Sequence, residues 1–139
     1  MCLRIAKDQE VKVAQEDIVC YKVLKQRIDG LTSPYQKMAY EKGRVMYAKI
    51  GTPEKMLVLD IFGIDSKNCL GIEEGLHSFM DKESAEQFYF GGLFNMKVCV
   101  AVIPKGAEYY EGTFDLYRSG NKHAWPSYVS SQLYIKEIL

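Results

Sequence analysis

The hydrophobic residues of this chain cluster in short runs rich in β-branched and aromatic side chains, which is the pattern of β-strands. The run over 97–103 is apolar on both of its alternating faces, so it predicts a central strand that is covered on both sides. Pro104, Lys105 and Gly106 follow it and predict a tight turn. Further strands are predicted at 18–24, near 43–50, at 56–62, at 75–79, at 108–112 as a short edge strand, and at 133–139.

Three segments between these runs are predicted to lack regular structure. Residues 31–36 contain proline and polar residues and are expected to form a loop that carries Tyr35. Residues 63–71 are expected to be a surface excursion. Residues 119–126 are expected to form an irregular loop, in which His123 is solvated and Trp125 either caps the edge of the core or anchors a partner.

One segment has the pattern of a helix. Asp81 suits the N-cap, because its carboxylate can accept hydrogen bonds from the unpaired amides of the first turn. Gly91 and Gly92 supply a stop, since glycine enters the left-handed cap conformation freely. The sequence therefore predicts a helix over 82–90. Its apolar stripe consists of Ala85, Phe88 and Tyr89, at i, i+3 and i+4.

These elements predict the fold class. Strand-like runs outnumber helical ones and do not alternate with them as in βαβ units. The 139 residues match one domain with one core. We therefore expect a single globular domain, 1–139, of α+β class: a mostly antiparallel twisted sheet with one main helix packed on it.

Charge and hydropathy narrow the possible partners and compartments. The 18 basic and 18 acidic residues give a net charge of +0, which removes the bulk electrostatic argument for nucleic acid or an anionic membrane, although a local basic patch remains allowed. The first residues are charged where a secretory signal needs an apolar core, and no run is long enough to span a bilayer. A cytoplasmic protein without a membrane partner is expected.

The four cysteines predict neither a metal site nor a redox motif. Cys2, Cys20, Cys69 and Cys99 are widely spaced, with no Cys-x-x-Cys motif and no neighbouring histidine pair. Unpaired cysteine packs as a small hydrophobic residue, so buried free thiols are expected. We expect no cofactor.

The strand-to-helix junction at 75–88 is the best candidate for a site. His77 lies just before the helix and titrates close to neutral pH, so it is a candidate ligand donor, although a histidine here is more often structural. No serine, cysteine or aspartate partner is identifiable by spacing, so no catalytic residue is predicted. Tyrosines could line a pocket that stacks on a base or sugar, or could simply complete the core. The candidate ligand-binding residues are Tyr21, Lys22, Tyr35, His77, Lys105, Tyr109 and Tyr110.

Four segments, 18–24, 33–35, 75–79 and 103–112, together resemble a family of small uncharacterised proteins of gut bacteria and their phages. The resemblance spans most of the chain in order and departs from the family over 116–128. It implies a phage or mobile-element setting and no known activity.

A second resemblance concerns the junction alone. Gly75-Leu76-His77, followed by a helix with Ser84-Ala85, is similar to the strand-helix element of ADP-ribosyltransferases, in which the aromatic at the position of His77 packs on nicotinamide. The first strand carries Tyr21-Lys22 where those enzymes have histidine or arginine, and the last third of the chain lacks Glu-x-Glu.

Three functions are compatible with these observations. The leading hypothesis is a non-catalytic binding protein, of phage or mobile-element origin, that holds a small nucleotide-like ligand or a host protein. The second is an ADP-ribosyltransferase-like enzyme that acts on a nicotinamide dinucleotide, and the third is a structural interaction module without a pocket. The sequence does not indicate an oligomeric state.

Overall fold

The computed structural model describes residues 3–28, 30–33, 38–55, 58–60, 63–65, 69–90, 95–118 and 120–139. This part of the chain forms fifteen strands and one helix. The strands are β1 (Leu3–Ala6), β2 (Lys12–Val13), β3 (Ile18–Arg27), β4 (Gly30–Thr32), β5 (Ala39–Tyr40), β6 (Met46–Tyr47), β7 (Glu54–Lys55), β8 (Val58–Asp60), β9 (Gly63–Asp65), β10 (Cys69–Ile72), β11 (Leu76–Phe79), β12 (Met96–Ile103), β13 (Glu108–Arg118), β14 (Asn121–Ser130) and β15 (Gln132–Ile138). The helix, α1 (Lys82–Phe90), connects β11 to β12.

Thirteen of the strands form one curled antiparallel sheet. Its main path is β6-β15-β12-β3-β11-β14-β13-β1-β10-β7, with β2 paired to β13, and β4 paired to both β3 and β5. β8 and β9 pair with each other separately. The expectation of an α+β fold is therefore wrong: the structure is mostly β, and the one short helix among the described residues is not a second layer of the kind that defines that class.

One long hairpin, of β13 and β14, differs most from the predicted elements. β13 was predicted as a short edge strand that ends at Gly112, but it continues to Arg118 and lies between β14 and β1. A Cβ atom on Gly112 would collide with the backbone of Arg4 on β1, so glycine here permits the close approach of a neighbouring strand. Gly112 lies inside the strand and does not end it.

The segment predicted as an irregular loop over 119–126 lies largely in β14, which is a second correction. Ala124 and Pro126 are exposed, whereas Trp125, Ser127 and Val129 are buried, so the segment alternates with period two like a half-buried strand. Burial of Trp125, which is 3% exposed, places the indole in the core and not in a surface loop. His123 is half-buried, and its ring is stacked on Trp125 with centroids 5.4 Å apart.

Several predicted elements are confirmed. The strands at 18–24, 75–79, 97–103 and 133–139 correspond to β3, β11, β12 and β15, and α1 has the predicted bounds. The predicted strand near 43–50 is reduced to β6, and the predicted excursion over 63–71 includes β9 and β10, of which β10 joins the main sheet. Of the strand predicted at 56–62, only 58–60 is described. The predicted stop at Gly91 and Gly92 lies outside the described residues.

The two faces of the sheet pack against different parts of the protein. Cys20, Lys22 and Leu24 alternate along β3 onto one face, which we call the Lys22 face, and Tyr21 and Val23 lie on the other, which we call the helix face. The Lys22 face carries the largest core cluster. Its buried members are Ala14, Cys20, Leu24, Leu31, Tyr40, Leu76, Cys99, Ala101, Ile103, Ala107, Leu133 and Ile135.

On the helix face, α1 packs through an aromatic cluster. Phe88 of the helix contacts Phe79 and Trp125 at ring-centroid distances of 5.4 and 6.0 Å. The indole Nε1 of Trp125 donates a hydrogen bond of 2.8 Å to Gln87 Oε1, which satisfies its polar group inside the cluster. At the start of the helix, Asp81 Oδ1 accepts a 2.7 Å hydrogen bond from the amide of Ser84, as predicted for an N-cap. Within the described ranges, no helix is long and apolar enough to cross a membrane.

Candidate functional site

Lys22 is a charged residue inside the core. Strand alternation turns its side chain onto the Lys22 face, where the residue is 5% exposed. Its Nζ donates a short hydrogen bond to the carbonyl oxygen of His77 and lies 5.2 Å from the centroid of the Tyr40 ring. None of the ion pairs found among the described residues includes Lys22. A buried ammonium is normally paired with a carboxylate, so this environment is unusual.

Burial determines the ionisation of this amine. Loss of hydration lowers the pKa of Lys22 to about 8, against smaller opposing effects of the Cys20 and Cys99 thiols. Burial raises the pKa of Cys20 to about 12 and that of Cys99 to about 11, so both thiols stay protonated at neutral pH. The site at pH 7 therefore holds one cation, mostly protonated, among neutral groups.

A row of polar residues crosses the Lys22 face from strand to strand. Lys22 lies opposite Cys99 on β12. Ser78 on β11 lies opposite Tyr128, which in turn lies opposite Glu111. The register between β3 and β11 brings Ser78 next to Lys22, and paired side chains in a sheet lie on the same face with Cβ atoms about 5 Å apart. The row therefore leads from half-buried Glu111 to the buried amine.

Two hydroxyl groups near the amine lack a hydrogen-bond partner. Tyr40 Oη and Ser78 Oγ are buried, and neither makes a hydrogen bond within the described part of the chain. Ser78 lies close enough to Cys20 to favour its thiolate slightly, but no hydrogen bond of ordinary geometry joins them. Burial raises the pKa of Tyr40, so its phenol remains a donor. Unpaired buried donors cost about 1–3 kcal/mol each.

A pocket of about 260 Å³ opens beside Tyr40, and we call it the Tyr40 pocket. Its floor includes Leu31 and Tyr40, which belong to the core of the Lys22 face. At its rim, Arg44 and Glu41 form an exposed ion pair of 3.3 Å. The full lining is Gly30, Leu31, Thr32, Ala39, Tyr40, Glu41, Arg44 and Met46.

A larger cleft of about 680 Å³ lies where the end of β3 meets the start of β12, and we call it the basic cleft. The two strands are joined there by a 2.7 Å hydrogen bond from the Gln26 amide to the Asn95 carbonyl. Among the described residues that line it, three are cationic and none is acidic. The lining consists of Lys25, Gln26, Arg27, Ile28, Asn95, Met96 and Lys97. In the described part of the chain, no ion pair engages these cations.

His77 has the geometry of a structural histidine. The residue is 2% exposed, and its Nδ1 and Nε2 lie 3.2 Å from the carbonyl oxygens of Gly75 and Ile72. Burial, together with the nearby Lys22 cation, lowers the pKa of His77 to about 4, although the two carbonyl contacts oppose this shift. The imidazole is therefore neutral at pH 7 and directed at backbone.

The predicted tyrosines do not meet in one pocket. Tyr21 packs in the aromatic cluster of the helix face. Tyr109 packs on the Lys22 face against Tyr128, with ring centroids 5.9 Å apart. Tyr110 packs in a third cluster, around Leu3 and Ile72. Tyr35 lies outside the described residues.

Lys105 lies apart from the other candidates. It is exposed in the predicted tight turn, where Gly106 has a φ of 91°. Its amide donates a 2.9 Å hydrogen bond to Asp17 Oδ1. The backbone donor that a phosphate would need is therefore already used by a carboxylate.

The three cations of the basic cleft were not among the residues predicted from the sequence. Lys25 and Arg27 are two positions apart at the end of an apolar strand, which places them on the same face, and this spacing was readable from the sequence. Lys97 pairs with Leu24, so it lies on the opposite face of the sheet from Lys25 and Arg27 and lines the cleft from the neighbouring strand, which was not readable from the sequence. The described residues contain no group of three or more histidine, cysteine or acidic side chains able to hold a metal ion.

Comparison of the chain with protein-family models, curated proteins and solved structures found no significant match. The resemblances to a phage-associated family and to ADP-ribosyltransferases therefore stay predictions.

Proposed function

We propose that this protein is a non-catalytic binding protein that holds a small phosphate-bearing, nucleotide-like ligand in the basic cleft. The observation that carries the proposal is that three cations, of which Lys25 and Arg27 share one face of β3, and no acidic side chain are found among the described residues that line this cleft. Because the whole chain has a net charge of +0, this local excess is not a general property of the surface. The cleft volume of about 680 Å³ falls within the range of small-molecule sites.

The lining matches the two parts of such a ligand. Arg27 presents a planar guanidinium that can bind two phosphate oxygens at once, and Lys25 adds a point charge beside it. The fully exposed Ile28 supplies apolar surface on which a base can rest. The cleft thus offers charged and apolar groups within one volume.

The geometry favours binding over group transfer. The transferase resemblance depends on His77, and the ring of this residue is buried against carbonyl oxygens. It is therefore not placed to stack on a nicotinamide.

The test is isothermal titration calorimetry with ADP and with adenosine at low ionic strength. We expect ADP to bind and adenosine to bind at least tenfold more weakly, since adenosine lacks the phosphates. Lys25→Gln and Arg27→Gln should each weaken ADP binding at least fivefold. Salt at 0.5 M should weaken it further by screening these charges.

Lys105→Gln is the matched control, because Lys105 is an exposed lysine in a turn outside the cleft. It should leave the affinity for ADP within twofold of the wild type. Equal binding of ADP and adenosine, or equal losses in all three variants, would rule the proposal out.

A further inference from the structure

The cations of the basic cleft lie on both faces of the sheet. Lys25 and Arg27 are spaced two positions apart on β3, on the helix face together with Val23. Lys97 lies opposite Leu24 and therefore on the Lys22 face. Lys25 is half-buried, whereas Arg27 and Lys97 are exposed. Because residues of both faces line it, the cleft passes around the ends of the two strands from one face to the other.

Polar groups are accessible where these strands end. Gln26 and Asn95 line the cleft and are exposed. Asn95 has a φ of 68°, in the left-handed region, so the regular strand begins only after it. Strand alternation places Gln26 on the Lys22 face, together with Lys97. Carboxamide side chains form hydrogen bonds with the edges of bases. The Lys22 face therefore offers a cation and a carboxamide, and the helix face offers two cations.

A diphosphate can use only one of these two faces. The phosphorus atoms of ADP share one bridging oxygen, so the guanidinium of Arg27 and the neighbouring ammonium of Lys25 are sufficient for both phosphates. Lys97 projects from the opposite face, with the strand backbone between it and the other two cations. A ligand that uses all three cations needs a second phosphate at some distance from the first.

We propose that the ligand of the basic cleft is a dinucleotide, in which a ribose separates two phosphate groups; this rests on the function proposed above. The terminal phosphate binds Lys25 and Arg27 on the helix face. The ligand passes the strand ends, and its phosphodiester binds Lys97 on the Lys22 face, with a base beside the carboxamide of Gln26. The same chemistry occurs in a free dinucleotide and at the phosphorylated 5′ end of a single-stranded RNA.

The experiment compares ADP with 5′-phosphorylated diadenylate by isothermal titration calorimetry. Each compound carries about three negative charges above pH 7, because a terminal phosphate loses its second proton near pH 6, so total charge does not distinguish them. In the wild type, the dinucleotide should bind at least tenfold more tightly than ADP. In Lys97→Gln, this preference should fall below threefold. Absence of the preference in the wild type, or its full survival in Lys97→Gln, would overturn the proposal.

Two further variants are matched controls. Lys25→Gln removes a cation that both compounds use, so it should weaken both by a similar factor and leave the preference unchanged. Lys105→Gln, outside the cleft, should leave both affinities within twofold of the wild type. A preference that falls in Lys25→Gln as far as in Lys97→Gln would contradict the assignment of the second phosphate to Lys97.

The same titrations separate this proposal from the function on which it rests. ADP binding that depends on Lys25, without a preference for the dinucleotide, would leave the proposed function standing and overturn the dinucleotide. No binding of either compound would overturn both. 5′-Phosphorylated hexa-adenylate distinguishes the two sources of the ligand. Affinity equal to that of the dinucleotide would support an RNA end, and binding at least tenfold weaker would support a free dinucleotide.

Discussion

Lys22 shows how a single residue can act against the stability of its own fold. Its neighbours on the sheet are Ser78 and Cys99, neither of which carries a compensating charge. Removal of an ammonium from water costs several kcal/mol unless a partner repays it. The structure therefore retains a group that an apolar residue of the same length would replace at a gain in stability.

The stability of the protein should depend on this residue above pH 8. The pKa of Lys22 is about 8 in the folded chain, against 10.5 for an unperturbed lysine, because burial disfavours the charged form. Between these values the unfolded chain keeps a proton that the folded chain has lost, so the free energy of unfolding rises with pH. The full effect of this shift is about 3 kcal/mol. Below pH 8 the amine is protonated in both the folded and the unfolded chain, so the full cost of burying its charge lowers the stability.

Urea denaturation of the wild type and of Lys22→Met at pH 7, 8, 9 and 10 measures this effect. Lys22→Met should be the more stable protein at pH 7, and the difference should shrink toward pH 10. Cys20, Cys99 and Tyr40 titrate in the opposite sense at high pH, because burial raises their pKa values, but both proteins contain them. Parallel stability curves for the two proteins would show that the amine is hydrated.

Asp81 gives a prediction that the sequence and the structure support equally. Loss of the 2.7 Å hydrogen bond from the Ser84 amide in Asp81→Ala should cost about 1 kcal/mol of unfolding free energy. Asp81→Asn keeps an acceptor at the same position and should cost only a few tenths. Thermal melts followed by circular dichroism compare the two, and equal losses would mean that the cap does not stabilise α1.

Single residues were predictable where their role is local. The N-cap of α1 depends on residues three positions apart, so the sequence was sufficient to identify it. The environment of Lys22 depends on Tyr40, Ser78 and Cys99, which reach it only through the pairing of distant strands. A lysine inside an apolar run was therefore visible, but its partners were not.

At the scale of elements, β12 is the central strand that the apolar run predicted, since it lies between β15 and β3. The two faces of this strand are not equally buried. Ala101 is 0% exposed and packs in the core of the Lys22 face, whereas Val100 is only half-buried. The apolar pattern alone predicts the same burial for Val100 and its neighbours.

The effect of a carboxylate on β12 should differ between neighbouring positions. Ala101→Asp buries an unpaired charge at a cost of several kcal/mol, a large part of a total stability of about 5–15 kcal/mol, and should prevent folding. Val100→Asp leaves the carboxylate partly in water, so it should lower the melting temperature and leave a folded protein. Thermal melts and one-dimensional NMR spectra distinguish the two. Similar behaviour of both variants would contradict the assigned burial.

The missed elements have physical causes. β14 contains Pro126, which lacks an amide hydrogen and usually marks a loop, but this residue is exposed while the indole beside it is buried. β1 is only four residues long and is stabilised by its neighbours β10 and β13, which are distant in sequence. Strands of this kind are defined by their pairing with distant strands, and the local sequence pattern carries no information about that pairing.

At the scale of the whole molecule, the basic cleft and the Tyr40 pocket both lie at places where the main sheet is interrupted. The basic cleft lies where β3 ends beside the start of its neighbour β12. The Tyr40 pocket lies among β4, β5 and β6, which are short strands outside the central part of the sheet. Short strands and strand ends leave space that the continuous sheet does not.

The central claim is that the basic cleft binds a phosphate-bearing ligand, and chemical-shift mapping with ADP tests it most directly. In ¹H–¹⁵N spectra of the labelled protein, ADP should shift the amides of residues 25–28 and 95–97, and Arg27→Gln should reduce those shifts. Amides near the Lys105 turn should not move. An absence of shifts at millimolar ADP, or shifts concentrated outside the cleft, would contradict the account.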